Sequence, residues 1–148
     1  MRDEVKIGVM IFILIAFILT ACSVIGGDTG YSDAAILGSK TWVLISFGTE
    51  GQLQTVLEGV EITATFNHDE AEVSGSSGCN HYFGDYKVTG SGLSLSNIGW
   101  TEMACITPEG VMDQEQVFLA MFAAAESFEI QEDQLSIITA DDQFLKFE

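Results

Sequence analysis

Basic residues are scarce in this sequence, which has five Lys and Arg residues against 22 Asp and Glu residues and a net charge of −17 at pH 7. An acidic surface of this kind repels nucleic-acid phosphates and anionic lipid headgroups. The composition therefore argues against nucleic-acid binding and against a polybasic contact with a membrane. No long block of carboxylates marks one face for cations, so we attribute the acidity to solubility.

Motifs for catalysis and cofactor binding are also missing. The sequence has no phosphate-binding loop and no dinucleotide-binding fingerprint, and Gly75-Ser76-Ser77-Gly78 does not match the G-x-S-x-G nucleophile elbow. No distant His and Asp complete a catalytic triad, and the spacing of the carboxylates selects no catalytic pair. We therefore expect a protein that is not an enzyme and has no cofactor.

A metal site has little support in the sequence. Cys79, His81, His68 and Cys105 offer a Cys2His2 set for zinc, but the Cys79-x-His81 spacing differs from the C-x2–4-C and H-x3–5-H pairs of structural sites. A role for Cys79 as a nucleophile with His81 as its base would compete with any disulfide formed by the same sulfur. We expect neither a metal nor cysteine catalysis.

The one long apolar stretch lies at the N-terminus. It runs over residues 7–21, which is shorter than the roughly 20 residues of a membrane-spanning helix. It ends in Leu19-Thr20-Ala21-Cys22, which resembles a bacterial lipoprotein signal in which Cys22 is acylated and becomes the new N-terminus. We therefore expect residues 1–21 to be a signal peptide and the mature protein to be an extracytoplasmic lipoprotein of the cell envelope, held at a membrane by its lipid. The alternative is an uncleaved anchor, because the apolar stretch can be extended through Val24 and Ile25.

The rest of the chain divides into a tether and one domain. Residues 22–38 are mostly small and polar, which predicts a flexible tether. Residues 39–148 are long enough for a single compact domain with its own core, and we expect this domain to be monomeric.

Alternation of apolar and polar residues predicts strands through most of this domain. Ile62, Ala64 and Phe66 alternate with polar neighbours, and the turn Gly90-Ser91-Gly92 joins two alternating segments into a hairpin. The predicted strands cover residues 42–45, 62–66, 82–88, 93–96, 128–130, 135–138 and 144–147.

One helix is predicted between the strands. Pro108 suits a first helical position, and Asp113 with Gln116 resembles a capping box that opens a second possible start. An apolar face at helical spacing is typical of core packing; its members are Phe118, Met121, Phe122 and Ala125. The pattern predicts a mainly β (α+β) fold, a small antiparallel meander curled into a barrel-like sheet with one α-helix.

Two segments give the chain a recognisable signature. Gly-Cys-Asn-His-Tyr-Phe-Gly-Asp-Tyr at 78–86 and Thr-Glu-Met-Ala-Cys at 101–105 resemble the META domain family of HslJ-like heat-shock proteins. The resemblance covers about residues 37–148, although Trp100 stands where a small residue is more usual. It implies a small β-rich barrel, often on envelope lipoproteins, with no established catalytic activity. The positions that match are Trp42, Gly78, Asn80, Gly84, Tyr86, Thr101, Met103, Glu115, Phe118 and Phe147.

The same two segments contain Cys79 and Cys105. In an exported protein a pair of thiols tends to oxidise, and the two segments are neighbours or next neighbours in a meander. We expect a Cys79–Cys105 disulfide that stabilises the domain by roughly 3–4 kcal/mol. The turn Gly78-Cys79-Asn80 is then best interpreted as a structural turn fixed by the disulfide.

Three function classes remain open. The first is a non-catalytic envelope module that binds an unknown envelope protein, with a role in stress tolerance implied by the resemblance. The second is a carrier of a small apolar ligand in the mouth of the barrel, with a lining of Trp42, Tyr82, Phe83 and Trp100. The third is a protease-inhibitor-like module that presents a disulfide-bonded loop.

Overall fold

The structure is a computed structural model that describes residues 30–148. The predicted signal peptide, Cys22 and the start of the tether lie outside the described residues. The elements follow in the order α1 (Gly30–Leu37), β1 (Thr41–Thr49), β2 (Gln52–Thr55), β3 (Thr63–Asn67), β4 (Glu72–Ser76), β5 (His81–Thr89), β6 (Gly92–Trp100), α2 (Val111–Ala123), β7 (Ala125–Gln131), β8 (Gln134–Thr139) and β9 (Gln143–Phe147).

The strands form an antiparallel sheet that closes on itself. β3 to β9 follow one another in sequence order, and β1 completes the ring because it pairs with β3 through Trp42↔Ala64 and with β9 through Phe47↔Leu145. β2 forms a hairpin with the second half of β1 and lies outside the ring. The predicted mainly β fold with a barrel-like sheet and one main helix is confirmed.

The interior of the barrel is filled by aromatic and aliphatic side chains. Phe66 meets Tyr86 edge to face with ring centres 5.1 Å apart, and Tyr82 meets Phe122 at 5.3 Å. Phe118 stacks on Phe122 at 5.3 Å, so α2 contributes two rings to this cluster. All five side chains are buried. Such rings bury a large apolar area and prefer these tilted geometries, which makes them the main source of packing energy.

The segment predicted as a tether is partly structured. Residues 30–37 form α1, and Leu37 is fully buried. The Leu37 carbonyl accepts a 2.9 Å hydrogen bond from the indole Nε1 of buried Trp42. Leu37, in the segment predicted as a tether, therefore belongs to the packed core.

The predicted helix start is wrong. Pro108 precedes the helix, α2 begins at Val111, and its N-cap is Gly110 rather than a side chain of the Asp113–Gln116 pair. Three members of the predicted apolar face, Phe118, Met121 and Phe122, lie on α2 as expected. The fourth, Ala125, is the first residue of β7. The helix therefore starts three residues after Pro108. It ends at Ala123, before the last residue of the predicted apolar face.

Candidate functional site

A tight turn between β4 and β5 positions the first part of the site. The Ser77 amide donates to the Asn80 carbonyl at 2.7 Å, and the Ser77 hydroxyl oxygen lies 2.9 Å from the same carbonyl. Gly78 has φ +113°, and a Cβ there would lie 3.1 Å from a Val60 methyl. A side chain at position 78 would therefore be strained, because L-residues rarely adopt that backbone conformation. Gly75 lies in β4, where a Cβ would come within 2.0 Å of the Thr63 carbonyl oxygen.

Glu115 of α2 accepts hydrogen bonds from this turn. Its Oε2 receives the Ser77 hydroxyl at 2.6 Å, the Asn80 amide at 2.7 Å and the Cys79 amide at 3.2 Å. Its Oε1 receives the Asn80 Nδ2 at 2.7 Å. Glu115 is 2% exposed, so a buried carboxylate joins the helix to the β4–β5 turn through four charge-assisted hydrogen bonds.

Asn80 extends the network to the segment after β6. Its Oδ1 accepts from the Thr101 hydroxyl at 2.8 Å and from the Met103 amide at 2.7 Å, and its Nδ2 also donates to the Met103 carbonyl at 3.2 Å. The side chain thus binds the backbone just beyond the last bond to β5, which the Thr101 amide donates to the His81 carbonyl at 3.0 Å. Five of the predicted motif positions (Gly78, Asn80, Thr101, Met103 and Glu115) therefore meet at one point.

The network determines the ionisation of Glu115. Burial by itself would raise the pKa of the carboxyl, but the hydrogen bonds donated by Ser77, Asn80 and Cys79 together outweigh it and lower the pKa below its ordinary value of 4.5. Glu115 is therefore a fixed anion at neutral pH. A group whose pKa is lower in the folded state stabilises that state fully above its unfolded pKa, and this contribution is lost as the pH falls through the folded pKa.

This linkage predicts a pH-dependent difference between the wild type and Glu115→Gln. The variant should be less stable at pH 7, and the difference in free energy of unfolding should narrow as the pH falls below about 4.5. Urea denaturation of both proteins across a pH series measures the difference. The titration of the other carboxylates is common to both proteins and cancels. A difference that stays constant from neutral to strongly acidic pH would contradict the ionised state of Glu115.

The predicted disulfide is present next to this network. Cys79 and Cys105 are bonded, with their Cα atoms 5.9 Å apart. The bridge ties the β4–β5 turn to the segment between β6 and α2. Because both sulfurs are bonded to each other, neither is available as a zinc ligand or as a nucleophile. Within residues 30–148 no group of three or more His, Cys, Asp or Glu side chains is arranged to hold a metal ion.

An open groove lies between β6 and α2, and the network forms one end of it. Its volume is about 750 Å³, and Asn80 and Glu115 are among its lining residues. The wall on the β6 side consists mainly of Leu95, Ile98 and Trp100. Trp100 lies directly opposite Tyr82 in the sheet and so faces the same side as that buried ring.

Small residues on α2 create the opposite wall. Gln116, Ala120 and Ala123 follow at spacings of four and three residues, so they share one face of the helix. The two methyl side chains are too short to fill the space up to β6. Met112 and Leu119 of α2 also line the groove, and the two alanines leave space between the helix and β6.

The groove differs from the predicted ligand site in the mouth of the barrel. Trp42 and Tyr82 are 0% and 1% exposed and belong to the packed core. Phe83 is 61% exposed on the outer side of the sheet, where its ring lies over Gly99. Only Trp100, at 50% exposure, lines the groove. The structure does not bring the four predicted lining residues together, because strand alternation puts Tyr82 and Phe83 on opposite faces.

Two further motif positions, Gly84 and Tyr86, have structural roles. Tyr86 packs against Phe66 in the core. Gly84 makes room for Ile98, because a Cβ at position 84 would lie 2.4 Å from the Ile98 Cδ1. Ile98 is a groove residue that the sequence analysis missed, together with Leu95, Met112 and the two alanines of α2. The only sequence signal for them is the pair of small residues on one helical face.

No helix among residues 30–148 is long and apolar enough to cross a membrane.

Comparisons with known proteins identify the fold and the family. The NMR structure of a protein from Burkholderia xenovorans matches with a TM-score of 0.67 and 27% identity over 79% of this chain and 86% of that one. The crystal structure of a DUF4847 family protein from Bacteroides vulgatus matches with a TM-score of 0.56 and 13% identity over 78% of this chain and 95% of that one, which supports the fold alone. No curated protein matches the sequence. The META domain family matches residues 35–148, and the chain therefore belongs to the META domain family.

Proposed function

We propose that this chain is a non-catalytic binding module of the cell envelope that holds a partner protein in the β6–α2 groove. The observation that carries the proposal is the groove itself, because it is largely apolar and presents two exposed large side chains. Trp100 is 50% exposed and Met103 is 53% exposed. Tryptophan and methionine are enriched in protein interfaces, and buried tryptophans often dominate the binding energy.

The segment that follows β6 enlarges this surface. Ile106 is 89% exposed and lies one residue after Cys105, so the disulfide restricts the position of its backbone. A restrained apolar side chain loses less conformational entropy on binding than a mobile one. Trp100 and Met103 line the groove, and Ile106 adds an exposed apolar side chain three residues further along the same segment.

Binding rather than catalysis fits the chemistry of the groove. Glu115 has its carboxylate oxygens occupied by four donors, so its lone pairs are engaged and its basicity is reduced. The nearby sulfurs are joined in a disulfide. A general base or nucleophile needs a free lone pair aimed at a substrate, and these groups are used to hold the structure.

The lipid anchor and the stress role complete the proposal. Cys22 follows a signal-like apolar run, and acylation there would hold the domain at a membrane while residues beyond 22 link it to α1. The disulfide supports an oxidising compartment, since such bonds persist mainly outside the cytoplasm. The META family includes heat-shock proteins, which supports a role in stress tolerance.

Binding of a small apolar ligand is the second candidate. A volume of about 750 Å³ lies within the range of small-molecule sites, which are also mostly apolar with a few polar groups. The relevant site would be the β6–α2 groove, because the interior of the barrel is filled.

Site-specific photocross-linking in the native host tests both candidates. A benzophenone amino acid in place of Trp100 should give a discrete adduct with a second protein. The same group in place of Leu53, which is 37% exposed on β2, is the control and should give no such adduct. Intact-mass analysis separates a protein adduct from a small lipid-sized one, and the lipid-sized adduct would favour the second candidate. Identical products at both positions, or none at position 100, would refute the groove as the binding site.

A further inference from the structure

The groove contains an open edge of the sheet. β6 pairs with β5 along almost its full length, from Thr89↔Gly92 to Tyr82↔Trp100. On its other side β6 pairs with β7 only at Gly92↔Ser127 among the described residues. Beyond that pair, β7 continues along β8 alone. Continued from this pair, the antiparallel register brings Ala125, the first residue of β7, opposite Ser94. Residues 95–100 therefore extend beyond β7 and present backbone groups without a strand partner on that side.

The order of the elements explains why β7 covers only the start of β6, because α2 ends at Ala123 and β7 begins at Ala125. The register between β5 and β6 shifts between Phe83 and Asp85, and Asn97 on β6 has φ +54°. An irregularity of this kind bends a strand and increases its twist. This bend lies in the part of β6 that extends beyond β7, and α2 faces that part across the groove.

Backbone chemistry identifies the class of occupant. An unpaired strand edge offers alternating N–H donors and C=O acceptors, which an extended peptide matches by adding as a further strand. A lipid chain would displace water from these groups without replacing its hydrogen bonds, which is unfavourable. The Leu95, Ile98 and Trp100 side chains next to the edge offer apolar contacts to alternate side chains of such a peptide.

The charge of the groove lining narrows the class of occupant further. The groove is lined by the carboxylates Glu102 and Glu115 and by no basic residue. In the described chain the basic side chains are those of Lys40, Lys87 and Lys146, and none of them lines the groove. A free fatty acid or an anionic peptide would be repelled, whereas Lys or Arg beside the apolar segment would be attracted to exposed Glu102.

We propose that the free edge of β6 receives a short extended segment of a partner protein as an added strand, with apolar side chains against α2 and a basic residue near Glu102. This inference rests on the proposed function and specifies how the groove binds. Ala120 and Ala123 are the residues that leave room for the added strand, because larger side chains would reach β6.

A peptide selection on the full chain, with Cys22→Ser to remove the third thiol, tests the mode of binding. The probes are random linear peptides of about twelve residues, a length that covers one strand and its flanks. Enriched peptides should carry alternating apolar residues with flanking Lys or Arg. Ala120→Phe should weaken their binding by at least about tenfold, and so should methylation of one ladder-forming peptide nitrogen. Val117→Phe is the matched control, because Val117 is 46% exposed on α2 and does not line the groove; its binding should be unchanged.

Hydrogen exchange gives a second readout that does not depend on variants. Bound peptide should slow amide exchange within residues 95–100, because backbone hydrogen bonds to a new strand protect those amides. The proposal is overturned if no groove-dependent peptide is enriched, if methylation at each peptide nitrogen in turn leaves binding intact, or if exchange in β6 does not change. Any of these results combined with a protein adduct at position 100 would reject strand addition and retain the proposed function. Peptide binding with no adduct in the host would instead reject the proposed function.

Discussion

Replacing Cys79 and Cys105 together by serine is expected to lower the free energy of unfolding by about 3–4 kcal/mol. The bridge spans a sequence separation of 26, and cross-links of this length restrict the unfolded chain substantially. The hydrogen bonds that join Asn80 to Thr101 and Met103 remain in the variant, so the expected loss is that of the restraint on the unfolded chain. A loss of this size is a large part of the stability of a domain of this length.

Urea denaturation without reductant measures this effect. Both proteins should carry Cys22→Ser, so that the third thiol cannot exchange with the bridge. Adding reductant to the parent protein should reproduce the stability of the double variant, while reductant should leave the double variant unchanged. A loss below about 1 kcal/mol would show that residual structure in the unfolded chain already restricts the loop.

Strands with a clear alternation were predictable from the sequence, and strands without one were not. In β3 and β5 every second residue is buried, as the pattern of Ile62, Ala64 and Phe66 indicates. β2 has no buried residue and β4 has one, Val73, in its first half. These two strands exist because neighbouring strands supply their hydrogen bonds, and that information does not lie within their own residues.

The helix start was mispredicted because tertiary contacts override the local signals. A proline and a capping pair both favour a start, but α2 begins after Gly110, which has φ +87°. The Gln114 side chain accepts a 2.8 Å hydrogen bond from the Leu57 amide, and Glu115 must point at the β4–β5 turn. The contacts of these two neighbouring side chains fix how the helix is rotated about its axis. Together they outweigh an N-cap, which contributes about 1 kcal/mol.

The groove was not predictable from the sequence because it depends on which residues of the sheet lie opposite α2. Ala120 and Ala123 are ordinary helix residues in the sequence, and Trp100 has the pattern of a core aromatic. Only the register Tyr82↔Trp100 and the early end of the β6–β7 pairing show that these residues border an open space. The family resemblance identified the residues of the network, but it did not indicate that the network ends at a groove.

Replacing Glu115 by alanine is expected to lower the free energy of unfolding by about 4 kcal/mol, the other large effect. The change removes the acceptor of four hydrogen bonds and leaves the Cys79 and Asn80 backbone amides without a partner. The Ser77 hydroxyl and the Asn80 Nδ2 lose their charged acceptor and keep only the neutral carbonyls of Asn80 and Met103. Ser77 and Asn80 are 0% and 2% exposed, so their freed donors lie where water replaces the carboxylate poorly. Each unsatisfied buried donor costs about 1–3 kcal/mol, and water entering from the groove keeps the total below the sum.

The matched control is Asp113→Ala, which removes the same charge from an exposed position in the first turn of α2. It should cost less than about 1 kcal/mol, the usual value of a carboxylate near a helix N-terminus. Glu115→Gln should fall between the two variants, because its single side-chain oxygen serves only part of the donor set. Denaturation curves of the three variants, measured at neutral pH with the disulfide intact, give the comparison. Equal losses for Glu115→Ala and Asp113→Ala would mean that charge near the helix start, rather than the buried donor set, accounts for the contribution of Glu115. The expected order instead assigns to Glu115 the joining of α2, the β4–β5 turn and the segment after β6 at the end of the groove.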